Sequence, residues 1–127
     1  MAESLICLDT NYLILGLCRG SKEEADLVRW HGEGVFLVTS TICWYEFLCG
    51  PVTSEQVDVM QSIVKAVLPF GEREAVIASE FFQKANRKRA LKVDAMIAAT
   101  AWVAGASLAT RNGEDFIHFK ALKLTAG

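Results

Sequence analysis

The chain has 127 residues, 52% of them hydrophobic and 22% charged, which is enough apolar material for one buried core and too much for a disordered chain. A formal net charge of −2 excludes a molecule that draws nucleic acid by its overall field, so any nucleic-acid contact needs a local basic patch or a bound cation. The length suits a single domain over residues 1–127.

Leu5-Ile6-Cys7-Leu8 reads as a buried strand, apolar throughout with charge only outside it. A helix over residues 11–18 is expected next, stopped by Gly20, then a helix over 22–31 that ends before Gly32 and Gly34. Val35-Phe36-Leu37-Val38 reads as the second strand. Ser40 or Thr41 then caps a helix that runs to Cys49 and stops at Gly50-Pro51. Thr53 and Gln56 have capping-box spacing and open a helix to residue 66. Val67-Leu68-Pro69-Phe70 is a short third strand, with Pro69 pointing to a sheet edge. A long helix over 72–90 and another over 94–104, closed by Gly105, precede a fourth strand at 107–110. A helical turn over 112–119 and a fifth strand at 122–125 end the pattern.

Strands alternating with helices in one domain predict an α/β fold, a parallel sheet of four or five strands with helices on both faces. Ligand sites in such sheets lie beyond the carboxyl ends of the strands, where strand order reverses.

Cys7, Cys18, Cys43 and Cys49 form no CxxC pair, and Cys7 and Cys43 sit within apolar runs. Free thiols in a reducing compartment are the expectation. The first residues show neither a basic region nor a cleavage site. The longest uncharged stretch, residues 95–110, is broken by Gly105 and Ser107 and falls short of the roughly 18 apolar residues of a membrane helix. The chain therefore reads as cytoplasmic, with no membrane partner.

Four acids stand out by isolation. Asp9 is the only charge between Glu3 and Arg19, and Glu46 the only one between Glu33 and Glu55. After Asp94 no charge follows until Arg111, and Asp115 lies just past the fourth strand. A carboxylate in apolar surroundings is costly unless it is paired, hydrogen-bonded or on a metal. Asp9 and Asp94 could simply cap the helices that follow them, as Asn112 could cap the last turn. Glu46 sits too deep in its helix to cap, which leaves a salt bridge or an exposed helix face as its ordinary explanations.

Taken together, the parallel-sheet reading brings all four toward one edge of the sheet. Such a cluster raises its own pKa values unless a cation neutralises it. Oxygen-only donors favour Mg²⁺ or Mn²⁺ over zinc, and one or two such ions suit phosphodiester hydrolysis.

Leu8-Asp9-Thr10-Asn11, Tyr45-Glu46-Phe47, Val93-Asp94-Ala95-Met96-Ile97-Ala98-Ala99-Thr100-Ala101, and Thr110-Arg111-Asn112 followed by Asp115-Phe116 resemble the PIN-domain family, and most of all its VapC-like toxins of type II toxin–antitoxin systems. The resemblance covers nearly the whole chain in order. It implies a PIN-like three-layer α/β fold and a metal-dependent endoribonuclease. Asp9, Glu46 and Asp94 are then catalytic metal ligands with Asp115 as a fourth acid, and Thr10, Asn11, Thr110 and Asn112 support them. Some family members carry an acid where Asn112 stands, so a second ion would be held more weakly here. The resemblance further implies an RNA substrate, a cognate antitoxin and a homodimer.

Residues 84–92 hold five basic side chains and no acid. Arg87, Lys88, Arg89 and Lys92 are either the solvated end of a long helix, favoured there by its dipole, or a phosphate-contacting patch beside Asp94. Trp30, Trp44 and Trp102 read as core or dimer-surface residues, and His31 and His118 as surface or boundary residues. Two rivals remain. A phosphatase that attacks with Asp9 needs a second acid two residues on, where Asn11 stands. A non-catalytic PIN-like module that binds RNA or protein has no reason to keep all four acids.

Overall fold

A computed structural model describes residues 4–119 and 121–125. The first strand, β1 (Leu5–Leu8), leads into α1 (Thr10–Leu15) and α2 (Lys22–Gly32). Next come β2 (Phe36–Ser40), α3 (Thr41–Cys49), α4 (Ser54–Ile63) and β3 (Ala66–Leu68). A return through α5 (Glu72–Lys84), a 3₁₀ turn (Arg89–Leu91) and α6 (Lys92–Ala104) reaches β4 (Ser107–Ala109), α7 (Gly113–Phe116) and β5 (Leu124–Thr125).

All five strands pair in parallel, in the order β3-β2-β1-β4-β5. The chain first steps outward from β1 to β3, then crosses back to β4 and β5 on the other side. Right-handed crossovers in opposite directions place their helices on opposite faces. The α1–α4 helices thus cover one face while α5 and α6 cover the other, and α6 packs on both β2 and β4. The order reverses beside β1, whose carboxyl end carries Asp9.

Local chemistry explains most boundaries. Ser21 caps α2 by accepting from the Glu24 amide, Ser40 caps α3 at Cys43, and Thr53 with Gln56 forms the full capping box of α4. Gly105 closes α6 at a φ of 73°, a left-handed conformation that costs glycine little. Ile6, Cys7 and Leu8 are completely buried, as a central parallel strand requires. β3 is an edge strand, as Pro69 suggests, although it ends before that proline. β2 reaches two residues further than the apolar run, through Thr39 and Ser40, both buried. Thr39 fits there because its hydroxyl donates to the Leu8 carbonyl at 2.7 Å.

The largest departure from expectation lies after α5. That helix stops at Lys84 rather than near Ala90. Asn86 and Arg87 take φ values of 61° and 54°, and the Arg87 amide donates back to the Phe82 carbonyl at 3.0 Å. Two left-handed residues in succession end a right-handed helix, and asparagine tolerates that region better than most residues. The basic segment is therefore a sharp turn, not a helix end. α6 starts at Lys92, so Asp94 lies within its first turn and caps nothing. α7 spans a single turn, and β5 two residues.

Cys7 and Cys43 are buried and Cys18 and Cys49 exposed, all four as free thiols. Trp30 is in the core, Trp44 packs against that core, and the partly exposed Trp102 meets Phe81 edge-on. His31 is exposed and His118 half-buried. Among the described residues, no helix is long and apolar enough to cross a membrane.

Candidate active site

Beyond the carboxyl ends of β1 and β4 lies a polar cavity of about 320 Å³. Asp9, Thr10, Asn11, Glu46, Asp94 and Asn112 line it. A larger cavity of about 480 Å³ lies between α2 and α4, lined mainly by apolar side chains such as Leu17, Leu27, Val28 and Val59. It holds none of the isolated acids, so size alone does not mark the chemistry.

Asp9 is the most constrained of the four acids, at 5% exposure. Its Oδ1 accepts from the Thr10 amide at 2.8 Å and from the Cys43 thiol at 3.6 Å. Its Oδ2 accepts from the Thr110 hydroxyl at 2.8 Å. Asp9 thus caps α1 and also faces the cavity, so the two readings of its position coexist. Burial raises its pKa most. The hydrogen bonds from Thr110, Thr10 and Cys43 pull it back, and the nearby charge of Glu46 adds to the rise.

Glu46 is exposed in the middle of α3, and its Oε1 accepts from the Thr10 hydroxyl at 2.7 Å. Thr10 therefore bridges two of the acids, giving its amide to Asp9 and its hydroxyl to Glu46. Asp94 enters from the opposite face of the sheet, on α6. Burial pushes its pKa up to about 6, and the charges of Asp115, Asp9 and Glu46 add to the rise in that order. Asp94 is thus the acid that feels the charge of the other three.

Asp115 stands on α7, exposed and outside the cavity lining, close enough to Asp94 to be its strongest charged neighbour. Thr110 lies beneath the cavity, 3% exposed. Asn112 does not cap α7 with its side chain. Its amide instead donates to the Thr110 hydroxyl at 2.9 Å. Arg87, Lys88 and Arg89 are exposed on the turn ahead of α6. Lys92 is turned aside, with its Nζ 5.9 Å from the Phe82 ring centroid.

The donors are all oxygens, which suits a hard divalent cation in chemistry. Among the described residues, however, no three acid, histidine or cysteine side chains already form a metal cage. Glu46 is exposed, and Asp94 accepts no hydrogen bond and forms no ion pair among the described residues. Both residues line the polar cavity.

Sequence spacing did not reveal Cys43 as a partner of Asp9. The one available signal is that Cys43 precedes Glu46 by three residues and so shares its helix face. The ion pair between Arg111 and Glu23, at 3.2 Å, was likewise not legible.

A parallel α/β domain with its acids at the strand-order reversal defines a class of protein in which the sheet edge carries the chemistry. The PIN domain family model matches residues 6–122, and the chain belongs to that family. Solved structures share the fold. One chain of the VapBC2 complex from Rickettsia felis bound to promoter DNA superposes with a TM-score of 0.76 at 17% identity, covering 95% of this chain and 97% of that one. A chain of a toxin–antitoxin complex from Klebsiella pneumoniae gives 0.71 at 25% identity, covering 94% and 95%. A chain of VapBC-1 from nontypeable Haemophilus influenzae gives 0.71 at 21%, covering 95% and 96%. No curated protein sequence matches.

Proposed function

We propose that this PIN domain is a metal-dependent endoribonuclease and the toxin of a toxin–antitoxin pair. The observation that carries the reading is the convergence of Asp9, Glu46 and Asp94 on one polar cavity beyond the carboxyl ends of β1 and β4, with Asp115 near Asp94. Three carboxylates lining one cavity, with no basic side chain among the residues that line it, suit a cation. Asp9, Glu46 and Asp94 are assigned as ligands of Mg²⁺ or Mn²⁺, with Asp115 completing the set and one or two ions held. When bound, the ion supplies charge compensation for the phosphodiester and lowers the pKa of attacking water.

The chain's own residues hold that arrangement. Thr110 and the Thr10 amide fix both oxygens of Asp9, so this carboxylate is preset. Thr10 holds Glu46 in reach, and its release of Oε1 frees a donor. Asn11 and Asn112 offer amide groups to the substrate or to water at the rim. Asp94 faces the same cavity from α6 and would share the cation with Asp9 and Glu46. Arg87, Lys88 and Arg89 supply the local positive charge that a net-negative protein needs to hold an RNA backbone. Lys92, turned toward Phe82, is the weakest member of that patch. Accessible phosphates in single-stranded or looped RNA suit an open edge site.

The toxin assignment draws on the VapBC and toxin–antitoxin complexes whose chains share this fold. It brings with it a cognate antitoxin as partner, a homodimer and a cytoplasmic setting. Expression of the chain alone is then expected to arrest growth, and co-expression of the antitoxin to relieve the arrest. A non-catalytic RNA- or protein-binding module is the second reading, favoured by the lack of a preformed three-acid cage among the described residues.

Cleavage of total cellular RNA separates the two readings. The purified protein is expected to cut with Mg²⁺ or Mn²⁺ and to stop with EDTA or with Asp94→Asn. Folded protein that cuts nothing with either metal selects the non-catalytic module.

A further inference from the structure

We infer that Arg111 is a positioning residue for the acid site, strapping the segment that carries Thr110, Asn112 and Asp115 onto α2 through its ion pair with Glu23. An arginine at the edge of a nuclease site is ordinarily read as a phosphate contact, since its planar fork suits phosphate oxygens. The geometry here engages it elsewhere. Arg111 Nε lies 3.2 Å from Glu23 Oε2, and the Glu23 side chain is only 9% exposed. Removing a partner from a charge buried to that degree leaves it uncompensated, so the guanidinium is held against α2.

The ion pair belongs to a larger buried network. Tyr12, completely buried on α1, donates from its hydroxyl to Asp26 Oδ2 at 2.7 Å, and the Arg111 guanidinium also reaches that hydroxyl. Asp26 is 2% exposed, and its Oδ1 pairs with Arg29 at 3.4 Å. α1, α2 and the segment after β4 are therefore tied together by Tyr12, Glu23, Asp26 and Arg111. The same segment has a second anchor, since Thr110 bonds Asp9 and receives the Asn112 amide, while the Asp115 amide donates to the Asn112 carbonyl at 2.9 Å. Asp115 has no hydrogen bond to its own carboxylate among the described residues. Its place near Asp94 thus rests on two anchors at the head of its segment, Thr110 toward the sheet and Arg111 toward α2, and on the buried Phe116 that follows it.

The activity side of this inference rests on the nuclease reading, while its structural side does not. The test compares wild type, Arg111→Met, Arg111→Lys, and the double variant Arg111→Met with Glu23→Gln. The double variant removes both charges together and so spares Glu23 from being left buried and unpaired. Amide exchange over residues 110–119 is expected to quicken about tenfold in Arg111→Met and in the double variant, with β1 and β2 unchanged. In RNA cleavage with Mn²⁺, kcat is expected to fall by up to roughly 100-fold from misplacement of the segment, with KM and its salt dependence unchanged. Arg111→Lys is expected to recover part of both. A rise in KM together with a salt slope reduced by about one identifies a phosphate contact and overturns the inference. Unaltered exchange over 110–119 in the double variant overturns it as well. Wild type that cuts no RNA defeats the nuclease reading, and the exchange result then decides the strap by itself.

Discussion

The Thr110 hydroxyl donates to Oδ2 of Asp9 at 2.8 Å across 101 positions of chain, joining the ends of two neighbouring parallel strands at the point where the sheet order reverses. Both residues are almost fully buried, at 3% and 5% exposure. The site is therefore founded on the sheet, and its exposed members, Glu46 and Asp115, are added from helices.

Thr110→Val keeps the shape of the side chain and removes that donor, along with the acceptor of the Asn112 amide. A buried carboxylate that loses one of its hydrogen bonds costs about 1–3 kcal/mol. Urea unfolding is expected to show a loss in that range for Thr110→Val and a smaller loss for Thr110→Ser. Equal stability of all three proteins would count against the central place given to this bond.

Asp94 sets a pH dependence of the metal-free protein. Its pKa is raised from 3.8 to about 6 in the folded state. The native protein therefore holds more protons than the unfolded chain across that interval, and this contribution to stability is lost as pH rises from 3.8 through about 6. Asp94→Asn removes the half-buried charge and its repulsion by the other acids, so its Tm is expected to exceed that of wild type at about pH 7.5 in EDTA, with the gap closing near about pH 4. A Tm difference independent of pH contradicts the charge cluster.

Cys43 touches Asp9 from a fully buried position, and burial pushes its thiol up to about 12. Cys7 is raised too, also by burial first. Neither forms thiolate near neutrality, so a disulfide reagent is expected to modify Cys18 and Cys49 in the native protein and to reach Cys7 and Cys43 only in denaturant. Rapid modification of all four under native conditions would show an open site. Cys43→Val, nearly conservative in volume, removes only a long thiol donor at 3.6 Å from Asp9 and is expected to cost less than Thr110→Val in urea unfolding.

The basic turn gives a prediction about binding alone. Replacing Arg87, Lys88 and Arg89 together with Ala is expected to weaken RNA binding and to flatten its salt dependence, by about 0.7 in log–log slope for each single-strand phosphate that is no longer neutralised. The check is fluorescence anisotropy with labelled RNA in Ca²⁺ across a salt series. An unchanged slope removes these residues from the RNA path.

Much of the fold could be read from the chain because its signals are local. The apolar runs of β1 and β2, the Thr53–Gln56 capping box and Gly105 after α6 each act within a few residues of themselves. The isolation of Asp9, Glu46 and Asp94 was also visible, since a lone charge in an apolar run has to be satisfied somewhere. What stayed hidden depended on three-dimensional neighbours. The end of α5 at Lys84 is set by two left-handed residues that helix propensity does not disfavour strongly, as asparagine and arginine both occur in helices. The Cys43 bond to Asp9 and the Arg111–Glu23 pair join residues 34 and 88 positions apart, and no pattern in a single sequence signals either. Asp115 lies outside the cavity lining because the single turn of α7 buries Phe116 and leaves its neighbour at the surface.

Whether these four acids hold a divalent cation is tested most directly by calorimetric titration of the metal-free protein with Mn²⁺. Saturable binding by wild type at one or two sites is expected, abolished or strongly weakened by Asp9→Asn and by Asp94→Asn while both variants keep their far-UV spectra. Binding that persists unchanged in both variants, or no binding by folded wild-type protein at millimolar Mn²⁺, would contradict it.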